Sequence, residues 1–461
     1  MIARASRLSP MAPVLAVLGL CGCTFMPQYE RPAAPIPSEF PHVTDTAAHP
    51  PAQLSWRDFV RDERLARLIE LALANNRDLR VALLNVEQSR AQYRITRSDA
   101  LPRIDASGGF TRQHARGLTS NQENLSVGLT AYELDLFGRV RSLTRQALEQ
   151  YLATEQAGRS ARIALIAEVA TQYFELRAAQ EQLGLAKQTL TVVQDSYDLN
   201  QTMFDAGAVA ELDLRSAQGQ LQTARINVLT YERQSAQAEN ALALLLGAAL
   251  PADLPAPRPF GSPDLLAQVP AGLPSELVQR RPDILQAEHT LKSANANVGA
   301  ARAAFFPTIS LTGSVGRASS ELSQLFGSGS GVWSFSPQIA VPLFTGGANS
   351  ANLEAAKVGV SIDVAGYEEA IQTAFREVAD ALVGVDSYAS QIAAEEQAID
   401  AQSRRFELAT LRYRQGEDTY LNMLLAQQDL YSAQQGRLQA QLNQLSSQIS
   451  LFQALGGDWQ P

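Results

Sequence analysis

Apolar residues recur every seven positions through two long stretches of this chain. Val169, Leu176, Leu183, Leu190, Tyr197 and Phe204 mark the first stretch, and Val378, Val385, Ile392, Ile399, Phe406 and Tyr413 mark the second. A sustained seven-residue period predicts left-handed supercoiled helices, each burying one narrow strip. A returning helix follows each stretch. After Gly207 the strip continues through Leu214, Ala217, Leu221, Ala224, Val228, Tyr231, Ala238, Leu242 and Leu245, interrupted by Ser235. The counterpart after Gly416 is less regular, with Arg437 standing where the first has Val228. The other faces are rich in Gln, Ala, Ser and Thr, so these helices are wet on at least one side. A continuous helix from Gly138 to Phe204 would be about 100 Å long.

Elsewhere the period changes to two. "RIDASGGFTR" alternates Ile104, Ala106, Gly108 and Phe110 with polar residues, and "NLSVGLTAY" alternates Leu125, Val127, Leu129 and Ala131. A second pair follows: Ile309, Leu311, Gly313 and Val315, then a glycine-rich loop and "VWSFSPQIAVPLF". Alternation with aromatic residues near the ends suits transmembrane β-strands, and it suits a small soluble sheet equally. Four strands cannot close a barrel around a lumen, and open edges cannot face lipid. Membrane-spanning strands would therefore have to come from several chains, two supplying eight strands or three supplying twelve.

The chain is written twice. "NRDLRVA" at Asn76 resembles "RPDILQA" at Arg281, and "LPRIDASGG" resembles "FPTISLTGS", both at a shift of 205 residues. Gly207 and Gly416 match at a shift of 209, so the register drifts by only four residues. Tandem duplication predicts two copies of one unit: helix, two strands, long helix, turn, helix. The chain then divides into a signal peptide (1–22), a Pro-rich N-terminal segment (23–56), a first repeat (57–247), a Pro-rich connector (248–273), a second repeat (274–456) and a tail (457–461). The strands fall at about 101–136 and 306–344, and the hairpin tips at about 204–213 and 413–422. Prolines in the connector lack amide donors and resist both helix and central strand.

Arg4 and Arg7 precede an apolar run from Met11 to Leu20 that is too short for a permanent membrane helix and reads as a secretory signal. It ends in Leu20-Cys21-Gly22-Cys23, which resembles a bacterial lipobox; Cys23 would become the lipidated N-terminus. An ordinary signal peptide with two incidental cysteines is the alternative. Thr24 follows, where lipoproteins retained in the inner membrane tend to carry Asp, so the outer membrane is favoured. Both cysteines lie in this segment, and the mature chain has no intramolecular disulfide.

A net charge of −9 opposes a phosphate-binding surface, and no nucleic-acid partner is expected. His42, His49, His114 and His289 show no spacing that suggests a metal site or a nucleophile–base pair. No Walker or glycine fingerprint is present. No enzymatic activity, cofactor or catalytic residue is expected.

Taken together, the lipobox, the duplicated unit, "LPSELVQRRPDILQAE" at the start of the second copy, the paired "LP" and "FP" before the strands, and "LRYRQGEDTYLNMLLAQQDL" resemble the TolC/OprM family of outer-membrane efflux channels. The likeness is strongest to its lipoprotein branch serving resistance-nodulation-division pumps, and it covers nearly the whole mature chain. It implies a mainly α, mixed fold in a homotrimer. Each chain would give four strands to a shared twelve-stranded transmembrane β-barrel and its long coiled-coil helices to an α-helical barrel crossing the periplasm. It implies outer-membrane localisation with a lipid anchor, a periplasmic adaptor (membrane fusion protein), an inner-membrane transporter, and passive export of drugs or other small toxic compounds. A pore-free, lipid-anchored periplasmic scaffold is the alternative class. Metal-ion efflux and one-step protein secretion use the same architecture.

The two breaks at the tips have a structural explanation and a functional one. Gly207 and Gly416 can take the left-handed conformation that closes a helix, and Asp418 or Thr419 can cap the next one. The resemblance adds that these turns lie at the periplasmic end of the tunnel and close it. It carries a gate carboxylate onto Asp213 and a gate phenol onto Tyr413, linked by a hydrogen bond. Two positions depart from the family. Asp418 stands where some members have Arg, and Leu425 where members tend to have the aspartate of a cation-attracting ring. Glu417 and Asp418 are then candidates for a substitute charged ring, and Leu421 for an apolar constriction.

Overall fold

In the computed structural model, which describes residues 24–40, 55–262, 265–267 and 280–457, both repeats have the predicted order. The first contains α1 (Trp56–Phe59), α2 (Glu63–Asn75), α3 (Arg77–Ser98), β1 (Ile104–Ala115), β2 (Leu118–Glu133), α4 (Arg139–Asp205) and α5 (Glu211–Leu246). The second contains α6 (Pro282–Ala303), β3 (Thr308–Ser319), β4 (Gly331–Ala340), α7 (Ala348–Arg414) and α8 (Tyr420–Ala454). Both long helices, α4 and α7, run for 67 residues. Among the described residues no helix is long and apolar enough to cross a membrane. The predicted signal peptide and Cys23 lie outside the described residues.

The chain forms two compact units. The first holds Leu84–Gln156 and Leu285–Glu369 together with residues 24–33. Its sheet is antiparallel in the order β1-β2-β3-β4. Pairing sets Ala106 opposite Val127, Val127 opposite Val315, and Val315 opposite Trp333. Because directly paired residues share a face, Ile104, Phe110, Leu125, Val127, Val315, Trp333, Phe335 and Ile339 lie on one side, and all are exposed. The opposite face is polar. There Ser107 meets Ser126 at 3.0 Å and Ser314 meets Ser334 at 2.9 Å. A soluble sheet would bury its apolar face, and this one does not. At the base of β2 the pairing shifts between Leu129 and Tyr132, and Ala131 takes a positive φ of 47°. That is a β-bulge, which bends the strand.

Residues 24–31 are fastened to the same unit. Phe25 stacks on Phe306 at 4.4 Å and Phe137 at 6.4 Å. Arg31 donates two hydrogen bonds to Glu288, at 3.1 and 2.7 Å, and Tyr29 donates a third at 3.1 Å. Beneath them His289 Nδ1 lies 2.6 Å from Glu149, whose other oxygen is 2.6 Å from Arg145.

The second unit contains the described residues of Ala34–Leu83, Ala157–Ile284 and the chain from Ala370 onward. Its core gathers Trp56, Phe59, Leu65, Leu68, Ile69, Val169, Phe174, Leu242, Leu246 and Phe452, with Phe59 stacked on Phe452 at 4.3 Å. Predicted seam residues Leu214, Ala217, Leu221, Ala224 and Val228 are buried as the period requires. The connector is more than a surface link. Leu265, Leu266 and Ala267 are buried, and Ala267 N–H donates to Phe59 O at 2.8 Å while Arg61 N–H donates to Leu265 O at 3.0 Å. An apolar triplet among prolines gains burial and backbone partners by docking there.

The duplication extends to side-chain roles. Asn76 and Arg281 are equivalent residues, and each reaches the end of its repeat's returning helix. Asn76 Nδ2 donates to Leu245 O at 2.9 Å, and Arg281 Nη1 donates to Ala454 O at 2.8 Å. Both satisfy a carbonyl that a helix end leaves unpaired.

Candidate functional site

Each long helix closes in the same way. At the end of α4, Ala208 N–H donates to Met203 O and Gly207 N–H to Phe204 O, both at 2.8 Å. At the end of α7, Glu417 N–H donates to Arg412 O at 2.9 Å and Gly416 N–H to Tyr413 O at 3.0 Å. This paired pattern is a Schellman turn, which needs a left-handed residue, and Gly207 and Gly416 supply φ of 70° and 74°. A Cβ at either position would meet nothing within 4 Å, so the backbone alone requires glycine.

The departing helices start differently. Thr419 is the N-cap of α8, its hydroxyl accepting from Asn422 N–H at 3.4 Å. Asp418 accepts from the Asn422 side chain at 2.6 Å and from Thr419 N–H at 2.8 Å, and lies 3.5 Å from Arg412. These bonds hold its carboxyl below the usual range. In the first repeat Ala210 occupies the cap of α5 and makes no side-chain hydrogen bond.

Between the hairpins lies a small buried cluster of Ala217, Tyr413, Tyr420 and Met423, with Tyr197, Met203 and Phe406 packed against it. The Tyr413 hydroxyl donates to Asn200 Oδ1 at 2.7 Å. Asn200 is fully buried, and its Nδ2 donates to Ser196 O at 2.8 Å. A phenol has one proton, so the predicted Tyr413–Asp213 bond is not made within the chain; Asn200 takes its place. Asp213 lies half-buried in the first turn of α5. Burial pushes the phenols of Tyr413 and Tyr420 up, and the Asp213 carboxylate adds to both shifts.

The other predicted residues lie around the turn. Glu417 is exposed, and Leu421 and its repeat equivalent Leu212 are 58% and 76% exposed. Leu425 is also exposed. Asn200 was not predicted from the sequence. Its signal is a second heptad strip, Ala186, Val193 and Asn200, in which all three are buried and the last is polar. Among the described residues no cluster of His, Cys, Asp and Glu could hold a metal.

With this geometry in hand, the sequence pattern of the outer membrane efflux protein family matches residues 68–248 and 273–457, one match per repeat. The chain belongs to the outer membrane efflux protein family. Among its relatives, the toluene efflux pump outer membrane protein TtgC of Pseudomonas putida is 45% identical over 463 residues, covering 97% of this chain and 95% of that one. The solvent efflux pump outer membrane protein SrpC of Pseudomonas putida is 48% identical, covering 97% and 98%. The open-state MtrE outer membrane channel of Neisseria gonorrhoeae superposes with a TM-score of 0.88 at 40% identity, covering 95% of this chain and 99% of that one. In this efflux protein the four-stranded sheet and the long paired helices are thus the fold of an outer-membrane channel.

Proposed function

We propose that this efflux protein is the outer-membrane channel of a tripartite pump, a passive conduit through which small toxic compounds leave the cell. The observation that carries this reading is the sheet. Its apolar face is exposed, its opposite face is polar, and β1 and β4 are its two outer strands. An apolar-out, polar-in sheet suits lipid on one side and water on the other, and it needs further copies to remove its edges. Three copies would close twelve strands, as the family resemblance implies.

Two open heptad strips in the same unit support a ring of copies. On α3, Leu84, Gln88, Ala91 and Ile95 are exposed, and on α7, Ala351, Ala355, Val358 and Ile362 are exposed. Two such strips on different helices, each mixing alanine with larger apolar side chains, suit head-to-tail packing between neighbours. A lipid on Cys23 would sit two residues from Phe25, which packs between Phe137 just after β2 and Phe306 just before β3. That position suits an outer-membrane anchor at the base of the strands.

The names of TtgC and SrpC point to toluene and organic solvents as their cargo, and we extend that class, small apolar toxicants, to this channel. Export energy would come from an inner-membrane transporter of the resistance-nodulation-division class, joined through a periplasmic adaptor. The tips would form the gate, with Glu417 and Asp418 of three copies making a charged ring beside Leu421. The test is conductance of purified protein in a planar bilayer, with oligomer mass measured in parallel. Discrete conductance from a trimer is expected. Well-folded oligomers that never conduct would favour the scaffold.

A further inference from the structure

We infer that Asn200 is the positioning residue of the tip gate: it holds the Tyr413 hydroxyl and so clasps the hairpin of the second repeat to that of the first. The inference rests on the reading of the tips as a gate.

Three features of the geometry carry it. The bond is the buried polar link between α4 and α7 at the tip, made over 2.7 Å between residues 213 positions apart. Asn200 has no freedom to turn its amide, because Nδ2 is held by the carbonyl of Ser196 one turn back. Its oxygen is thereby aimed at the phenol. Tyr413 is seated in the same way: its ring packs at 5.6 Å from Tyr420, and its hydroxyl also lies 3.9 Å from Met203 Sδ.

A motion that separates α7 from α4 must break this bond in every copy, leaving a buried amide and a phenol without partners until water reaches them. A motion that carries both helices together leaves it intact. The clasp thus selects against one opening movement. Asp213 has a different place in the scheme. It stands half-buried at the start of α5 and makes no part of the clasp: the single phenol proton of Tyr413 goes to Asn200.

The experiment compares full-length parent, Asn200→Ala, Tyr413→Phe, the double variant, Asn200→Asp and Asp213→Ala in planar bilayers, with thermal denaturation of each. Both Asn200→Ala and Tyr413→Phe are expected to raise time-averaged conductance by about fivefold or more. The double variant should go no further than the larger single effect, because both changes remove one bond. Asn200→Asp keeps an acceptor for the phenol but loses the donor to Ser196 O and buries a charge, so it should conduct more than the parent. Tyr413→Phe keeps the ring packing and carries the test if Asn200→Ala does not assemble. Lower melting temperatures with parent-level conductance would mean a merely structural bond and overturn the clasp. A rise confined to Asp213→Ala would overturn it too, and assign the latch to the carboxylate. Silence from every protein, parent included, would remove the channel reading itself and the clasp with it.

Discussion

Two glutamates in the first unit show how burial and charge compete at a single residue. Burial alone would raise the pKa of Glu288, but hydrogen bonds and charge from Lys292 and Arg31 more than reverse it, and the carboxyl is held low. Glu149 is the same: burial raises it, while the His289 hydrogen bond and the Arg145 charge bring it below the usual range. A depressed carboxyl contributes stability that is present above its ordinary pKa and is lost as pH falls through its folded value. Acid should therefore loosen this unit. Protection factors of α6, that is, hydrogen exchange corrected for its intrinsic pH dependence, should fall from pH 7 towards pH 3, and Glu288→Gln should flatten that dependence. If the variant and the parent share one profile, these carboxyls are not its source. Arg31→Ala should cost about 1–2 kcal/mol, less than for a fully enclosed pair because Arg31 is 45% exposed. Chemical denaturation would measure it, and protease sensitivity of the N-terminal segment should rise in step.

At the scale of elements, duplication makes the protein its own control. Thr419 caps α8 and Ala210 leaves α5 uncapped, although the two turns share their Schellman bonds and positive-φ glycines. Ala210 already has extended cap dihedrals of −76° and 154°, so Ala210→Ser should supply an oxygen to the first-turn amides with no change of backbone. About 1 kcal/mol of added stability is expected, and Thr419→Ala should lose a similar amount. Slower exchange in the first turn of α5 would register the gain; unchanged exchange would mean that the first tip draws its stability from packing alone.

Much of this scale was legible in the sequence. The seven-residue strips named the buried sides of α4 and α5, and alternation named the strands, because each face meets one kind of environment. What alternation could not decide was whether the apolar face met lipid or a core. That required the structure, in which no described element covers that face. The Asn200–Tyr413 bond, the shared task of Asn76 and Arg281, and the docking of Leu265–Ala267 were not legible, since each joins residues far apart in sequence through a polar contact or a short apolar segment with no period.

In the proposed assembly, neighbouring copies would use what one chain leaves exposed: two outer strands, two heptad strips and the side chains of the tips. Glu417 and Asp418 differ here in a way that a ring of copies would expose. Asp418 is tied to Thr419, Asn422 and Arg412, whereas Glu417 is exposed. Charge at Glu417 should therefore act mainly on passing ions, and charge at Asp418 on both ions and the turn. Like charges repeated around a narrow opening concentrate counter-ions, since low-dielectric walls focus their field. Glu417→Gln should reduce the preference for cations, measured as reversal potential across a potassium chloride gradient, without moving the melting temperature. Asp418→Asn should reduce the same preference and also speed exchange at the start of α8. Selectivity that survives both substitutions would mean that the ring is not where cations are drawn, and the exposed Leu421 and Leu425 would then line an opening governed by size and wetting instead of charge.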